Sequence, residues 1–94
     1  MLTLDDNRLR LSGAVVIDRV NELLETGRGY VTQSDLTLDC SEVAEVDSSA
    51  LALILDWRRT AEASGKKLAV SNLPESLKTL ADLYAVTDLI AATS

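Results

Sequence analysis

The chain opens with two short stretches in which apolar and polar residues alternate. Leu2–Leu4 and Leu9–Leu11 have the period of two that is typical of a half-buried strand, and the polar run Asp5–Asn7 separates them. The pattern predicts a β-hairpin whose second strand ends at Gly13.

A helix is predicted after this hairpin, because the apolar residues change to a spacing of three and four. This spacing is carried by Val16, Val20, Leu23 and Leu24. The helix is expected to stop near Gly27 and Gly29, since glycine is common at helix ends.

The middle of the chain predicts an inner strand and then a long helix. Leu36–Cys40 alternates again, and the polar run Asp47–Ser49 stands before a stretch with helical spacing. Because Asp and Ser are preferred N-cap residues, we expect a helix over Ala50–Ser64 that stops at Gly65.

A final strand and helix are predicted from the remaining pattern. Leu68–Ser71 is expected to be a strand, and Pro74 suits the first turn of a third helix. This helix is expected to end before Thr87, and its apolar face comprises Leu77, Leu80, Leu83 and Tyr84.

The predicted element order is therefore β-β-α-β-α-β-α, and no linker divides residues 1–94. Strands joined through a helix run parallel, whereas the strands of a hairpin run antiparallel. The sequence thus predicts a single α/β domain over residues 1–94. Its mixed, mostly parallel sheet would have an N-terminal antiparallel hairpin and be covered by helices.

Composition limits the chemistry that such a domain can carry. Of 94 residues, 15 are acidic and 9 basic, which gives a formal net charge of −6, and none is histidine. The missing histidine removes the usual general base and the commonest metal ligand. The acidic balance argues against a nucleic-acid partner. We therefore expect no catalytic residues, no metal, no cofactor and no small-molecule substrate.

Cysteine usage and the lack of long apolar segments indicate a location. Cys40 is the single cysteine, so an internal disulfide is impossible, and its apolar strand predicts a buried thiol. The first residues do not resemble a signal peptide, and the longest apolar run, Ala50–Leu55, is too short for a membrane span. These features predict a cytoplasmic protein that does not insert into the membrane.

The central helix is predicted to have an apolar face and a second apolar shoulder. At about 100° per residue, one stripe contains Ala50, Leu53, Ile54, Trp57 and Ala61. Leu51 and Leu55 lie outside it, and either the first helix covers them or they belong to a docking surface. That docking surface would comprise Leu51, Ala52 and Leu55 beside Ser48, with Asp56 and Arg59 at its polar rim.

The run Asp47-Ser48-Ser49 permits two interpretations. A side-chain oxygen in it can accept a hydrogen bond from an unpaired N–H at the helix N-terminus, which stabilises by about 1 kcal/mol. Alternatively, a hydroxyl exposed there is a contact for a partner, or a site for a phosphate whose charge the helix dipole tolerates. The residues alone leave both interpretations open.

This region resembles the STAS domain, the fold shared by anti-sigma factor antagonists. The resemblance rests on Asp39-Cys40-Ser41, on Val43 and Val46, and on Asp47-Ser48-Ser49-Ala50-Leu51 at the start of a helix. It extends from the hairpin to the third helix. In the signalling branch a partner kinase phosphorylates the hydroxyl residue directly after the motif Asp. The resemblance therefore implies Ser48 as a phosphorylation site and an anti-sigma factor antagonist as one possible function.

A second branch of the family is more similar. Leu51–Leu55 and Thr79–Tyr84 resemble the MlaB branch, the STAS subunits of the Mla phospholipid-transport ABC systems of Gram-negative bacteria. This implies a non-catalytic cytoplasmic subunit that binds and supports the transporter's ATPase subunit and is peripheral to the inner membrane through it. The complex would serve outer-membrane lipid asymmetry. Ser48, flanked by Asp47 and Ser49, is then expected at the contact.

Ala50 departs from both branches, which commonly have glycine at this position. Alanine favours a helix by about 1 kcal/mol over glycine, but it adds a methyl group. We expect this methyl group to intrude on a surface that needs close approach. The departure therefore weighs against kinase docking more than against binding of an ATPase.

Overall fold

The structure, a computed structural model, describes residues 1–83, which form a four-stranded sheet and three helices. In chain order the elements are β1 (Leu2–Asp5), β2 (Arg8–Val15), α1 (Ile17–Val31), β3 (Leu36–Val46), α2 (Ser48–Ala63), β4 (Leu68–Ser71) and α3 (Glu75–Leu83). The strands lie in the order β1-β2-β3-β4; β1 pairs antiparallel with β2, and the other pairs are parallel. The predicted mixed sheet with its N-terminal hairpin is confirmed.

Both β2 and α1 continue past the glycines at which they were expected to end. Gly13 has φ +80° and lies inside β2, where the pairing with β3 shifts register, so it marks a bulge. Gly27 and Gly29 lie inside α1, which ends at Val31. The predicted ends at these three glycines are wrong. Gly13 provides the positive φ of the bulge and Gly27 lies against Trp57, whereas nothing in the structure explains the glycine at position 29.

The later elements follow the prediction as far as the structure describes them. β4 spans Leu68–Ser71, as predicted. Gly65 has φ +72° and follows the last turn of α2, as expected of a glycine stop. The predictions for Tyr84 and for a helix end before Thr87 lie outside residues 1–83.

The predicted sheet-facing stripe of α2 lies in the core. Its members are at most 1% exposed, and they are Ala50, Leu53, Ile54, Trp57 and Ala61. They belong to one apolar cluster with inward side chains of β2 and β3 such as Leu9 and Leu38. Cys40 is in the same cluster. Burial, with a smaller effect of the Asp39 charge, raises the pKa of its thiol to about 12, which confirms the predicted buried cysteine.

A buried carboxylate, that of Asp39, connects two strands of the sheet and the turn after β4. Asp39 accepts hydrogen bonds from the Arg8 guanidinium at 3.1 Å, from the Ser41 N–H at 3.0 Å and from the Asn72 amide at 3.1 Å. Burial by itself raises the pKa of Asp39, but the hydrogen bonds outweigh it and lower this pKa to about 2. The charge is thus compensated, and β2, β3 and the turn after β4 are held together.

The separation of α1 and α2 depends on a glycine. A Cβ atom built on Gly27 would overlap the ring of Trp57, which is 0% exposed. The Trp57 indole N–H also donates a hydrogen bond to the Leu24 carbonyl of α1 at 3.2 Å. The indole therefore packs directly against the α1 backbone, and no larger residue fits at position 27.

We expect Gly27→Ala to lower the free energy of unfolding by about 1–3 kcal/mol, because the added methyl group forces the two helices apart. The matched control is Gly29→Ala in the same helix, where a Cβ meets nothing within 4 Å. It should stabilise the protein by up to about 1 kcal/mol through helix propensity. Urea denaturation followed by far-UV circular dichroism measures both. Wild-type stability in Gly27→Ala would contradict the packing argument.

Candidate functional site

One carboxylate, that of Asp47, joins the N-termini of α1 and α2. It is the N-cap of α2, where one carboxylate oxygen accepts from the Ser49 N–H at 2.9 Å and from the Ser49 hydroxyl. Its other oxygen accepts from the N–H of Ile17, the first residue of α1, at 3.0 Å. Val16, the N-cap residue of α1, makes no side-chain cap. Asp47 thus satisfies unpaired N–H groups of both helices.

This arrangement favours the charged form of Asp47. The Ser49 hydroxyl, followed by the Ile17 N–H, lowers the pKa of the carboxyl below its ordinary value. The positive ends of two helix dipoles also meet at this carboxylate. Asp47 is therefore a structural anion at the pH of a cell.

The cap leaves Ser48 on the surface. Ser48 is the first residue of α2 and is exposed, whereas Ser49 is half-buried and bonded to Asp47. Of the two interpretations of this motif, capping describes Asp47 with Ser49. The exposed hydroxyl at the helix N-terminus is that of Ser48.

A partly exposed stripe runs along α2 from Ser48. We call it the α2 stripe and define it by the residues Ser48, Ala52, Leu55, Asp56 and Arg59, which share one side of the helix. Ser48, Ala52 and Arg59 are exposed, while Leu55 and Asp56 are half-buried. The structure thus brings most of the sequence-predicted site residues together on one surface.

Leu51 does not belong to this surface. It is 4% exposed and lies in the apolar cluster, so the prediction that its side chain forms an exposed docking shoulder is wrong. The reason is that α1 and α3 also contact α2, which makes the buried arc of α2 wider than one sheet-facing stripe. The alternative of a covered shoulder therefore applies to Leu51, and in part to Leu55.

Ala50 also points inward. It is 1% exposed, so the prediction that its methyl group intrudes on the docking surface is wrong. Ala50 lies one turn before Ile54 on the buried side of α2, and the methyl group fills core space. Alanine at this position leaves the surface around Ser48 unobstructed.

An ion pair with α1 fixes Asp56, the acid predicted at the polar rim. Arg28 donates two hydrogen bonds to its carboxylate, at 2.9 and 2.8 Å, in the bidentate geometry that favours such pairs. The Arg28 hydrogen bond lowers the pKa of Asp56, and the same bond raises the pKa of Arg28. Because Asp47 meets Ile17 near one end and Asp56 meets Arg28 further along, α1 and α2 run in the same direction.

Two residues at this surface were missed by the sequence reasoning. Ile17 is 68% exposed beside Asp47, and Arg28 holds Asp56. Ile17 left no usable signal, since it is apolar and in phase with Val20 and Leu24, so periodicity places it on the buried face of α1. Arg28 gave no signal in the sequence either, because its partner Asp56 is 28 residues away.

A metal site and a membrane-spanning helix are both absent from residues 1–83. No group of three His, Cys, Asp or Glu side chains in this range is placed to hold a metal ion. No helix in the same range has the length and apolar character needed to cross a membrane. Surface clefts lie elsewhere, one between α1 and the last residues of β2, beside Met1, and another between α2 and β4.

Comparisons with known proteins agree with this fold. A family model described as "Mlab, STAS domain" matches residues 2–91. A chain of the Acinetobacter MlaFEDB complex in its ATP-bound Vtrans2 conformation has a TM-score of 0.85 at 18% identity, with 99% of each chain covered. No curated protein sequence gives a match.

The anti-sigma factor antagonist SpoIIAA has the same fold in both of its forms. Its unphosphorylated form has a TM-score of 0.76 at 15% identity, with 100% of this chain and 87% of that chain covered. The phosphorylated form from Bacillus has a TM-score of 0.72 at 15% identity, with 100% and 90% covered. Likenesses at these identities show the fold alone.

We expect Asp47→Asn to lower the stability of the protein at neutral pH, since an amide has a single acceptor oxygen and cannot cap both helices. The folded-state pKa of Asp47 lies below its unfolded value. Its stabilisation is therefore present above the unfolded pKa and is lost as the pH falls through the folded pKa. The difference between wild type and Asp47→Asn should shrink over that range.

Urea midpoints measured from neutral to acid pH test this expectation. Glu45→Gln is the control, because it removes the same charge from an exposed residue two positions away. A constant difference between wild type and Asp47→Asn over the whole range would show that the Asp47 charge plays no part.

Proposed function

This chain belongs to the STAS domain family, in the branch described as MlaB, and on that basis we propose that it is a non-catalytic subunit that binds the ATPase of an ABC transporter for phospholipids. The observation that carries the proposal is the α2 stripe, which starts at the exposed Ser48 and continues through Ala52 to Arg59. The family match and the shared fold of a chain in the MlaFEDB complex support it.

The α2 stripe has the properties of a protein contact. Ser48 and Ala52 are small, so a partner can approach the helix closely, and Leu55 adds apolar surface below them. Arg59 and the Arg28–Asp56 pair provide a polar rim. An apolar centre with a polar rim is the usual composition of a protein–protein interface.

The stripe is also held rigid before any partner binds. Asp47 fixes the start of α2 against α1, and the Arg28–Asp56 pair fixes its middle. Less conformational entropy is then lost on association than with a flexible surface. A rigid α2 suits a subunit that acts by stabilising one conformation of a larger partner.

In this proposal the chain supplies no chemistry of its own. Ser48 has no histidine available as a base anywhere in the sequence, so it serves as a contact and not as a nucleophile. The protein would lie in the cytoplasm, attached to the inner membrane through the ATPase subunit. Its role would be to support ATPase assembly and activity in a system that maintains outer-membrane lipid asymmetry.

We expect Ala52→Arg to weaken binding to the purified ATPase subunit of the organism's phospholipid transporter by at least about tenfold, since a long charged side chain would stand in the centre of the contact. The matched control is Ala63→Arg, at an exposed alanine at the far end of the same helix. Isothermal titration calorimetry measures both. Wild-type affinity in Ala52→Arg would rule out the α2 stripe as the contact.

The alternative is an anti-sigma factor antagonist that is switched by phosphorylation of Ser48. The specific observation in its favour is an exposed hydroxyl at the N-terminus of α2, where a helix dipole stabilises a phosphate. The fold is shared with both forms of SpoIIAA, and the Ala50 methyl group does not obstruct the site.

Incubation with an anti-sigma factor kinase of the same organism and ATP separates the two functions. For an ATPase-binding subunit we expect no phosphoserine by mass spectrometry of the intact protein and its peptides. Stoichiometric phosphate that disappears in Ser48→Ala, and persists in Ser49→Ala, would instead establish the switch.

A further inference from the structure

Ile17 is an unusual residue for a surface. At 68% exposure it is one of the large apolar side chains that remain in solvent among residues 1–83, with Met1, Leu4 and Leu83. Ile17 is the member of this group whose backbone is bonded to Asp47, directly before Ser48. An exposed apolar side chain thus lies beside the start of the α2 stripe.

Helix geometry places Ile17 on the side of α1 that faces α2. Leu24 and Arg28 follow it by seven and eleven residues, which at about 100° per residue is nearly the same direction. The Leu24 carbonyl accepts the Trp57 indole N–H, and Arg28 pairs with Asp56, so this direction faces α2. Ile17 continues that side of α1 to the N-terminal end, where its side chain remains exposed.

The surroundings of Ile17 are acidic. Asp18 is exposed in the same turn, and Glu45 is exposed near the end of β3, two residues before Asp47. Asp47 adds a third carboxylate. The nearest base in the sequence, Arg19, is two residues after Ile17, which at about 100° per residue puts it on the opposite side of α1. An apolar group in an acidic setting is complementary to an apolar pocket with a basic rim.

We propose that Ile17 and the α2 stripe form one continuous docking surface, and that the partner receives Ile17 in an apolar socket rimmed by basic side chains. This inference rests on the proposed function, because the partner is taken to be the ATPase subunit. It extends the contact from one helix to two. Asp47 is the connection, since it fixes the positions of both helix N-termini.

Substitutions at Ile17 test the socket and its charge separately. Binding to the purified ATPase subunit should stay within about twofold of wild type in Ile17→Val, fall about tenfold in Ile17→Glu and fall further, about a hundredfold, in Ile17→Lys. Glu and Lys are both long and charged, so the difference between them reports the sign of the rim. The association rate of wild type should fall as salt is added.

The control is Leu83→Lys, which places the same charge at an exposed leucine of α3 and should leave binding unchanged. Equal losses in Ile17→Glu and Ile17→Lys, or the reverse order, would overturn the basic rim. Wild-type affinity in Ile17→Lys would overturn the docking role of Ile17. If Ile17→Lys does not fold by circular dichroism, Ile17→Ser removes the apolar group without a charge and decides the same point.

The experiment also separates this inference from the function on which it rests. No binding of the wild-type protein to the ATPase subunit would refute the proposed function. Binding that is lost in Ala52→Arg but retained in Ile17→Lys and in Ile17→Ser would refute the two-helix surface alone.

Discussion

The contact of Trp57 with the backbone at Gly27 determines how α1 and α2 lie against each other. The ring occupies the space that a side chain at position 27 would need, so the helices approach closely. At this separation Arg28 reaches the Asp56 carboxylate and the Ile17 N–H reaches Asp47. The geometry of the candidate site thus follows from a packing contact in the interior.

Two parallel helices that begin at the same place create an electrostatic problem. Their dipoles point the same way, so partial positive charge accumulates where Ile17 and Ser48 begin the two helices. The Asp47 carboxylate offsets this charge and accepts hydrogen bonds from both helices. The Asp47 side chain is thus occupied by hydrogen bonds within the fold. Ser48 is the exposed residue of this motif, which a partner can contact.

Sequence periodicity predicted the parts of the structure that depend on a single element. The presence and order of the strands and helices, and the buried face of α2 around Leu53, follow from local spacing, although β3 continues past its predicted end at Cys40 to Val46. Gly27 and Leu51 were assigned wrongly, because their surroundings come from elements distant in the sequence. Periodicity identifies the centre of a buried face, but it does not show how far neighbouring helices extend it. Nor does it show that Ile17, in phase with Val20 and Leu24, stays exposed at the N-terminal end of α1.

The burial of Cys40 has a consequence for how the molecule opens. Only a thiolate reacts readily with alkylating reagents, and Cys40 is 0% exposed with a pKa of about 12. It lies on β3, which is paired on one side with β2 and on the other with β4. The sulfur becomes reactive only when the apolar cluster around it opens. The rate at which Cys40 is alkylated therefore measures how often the core of the molecule opens.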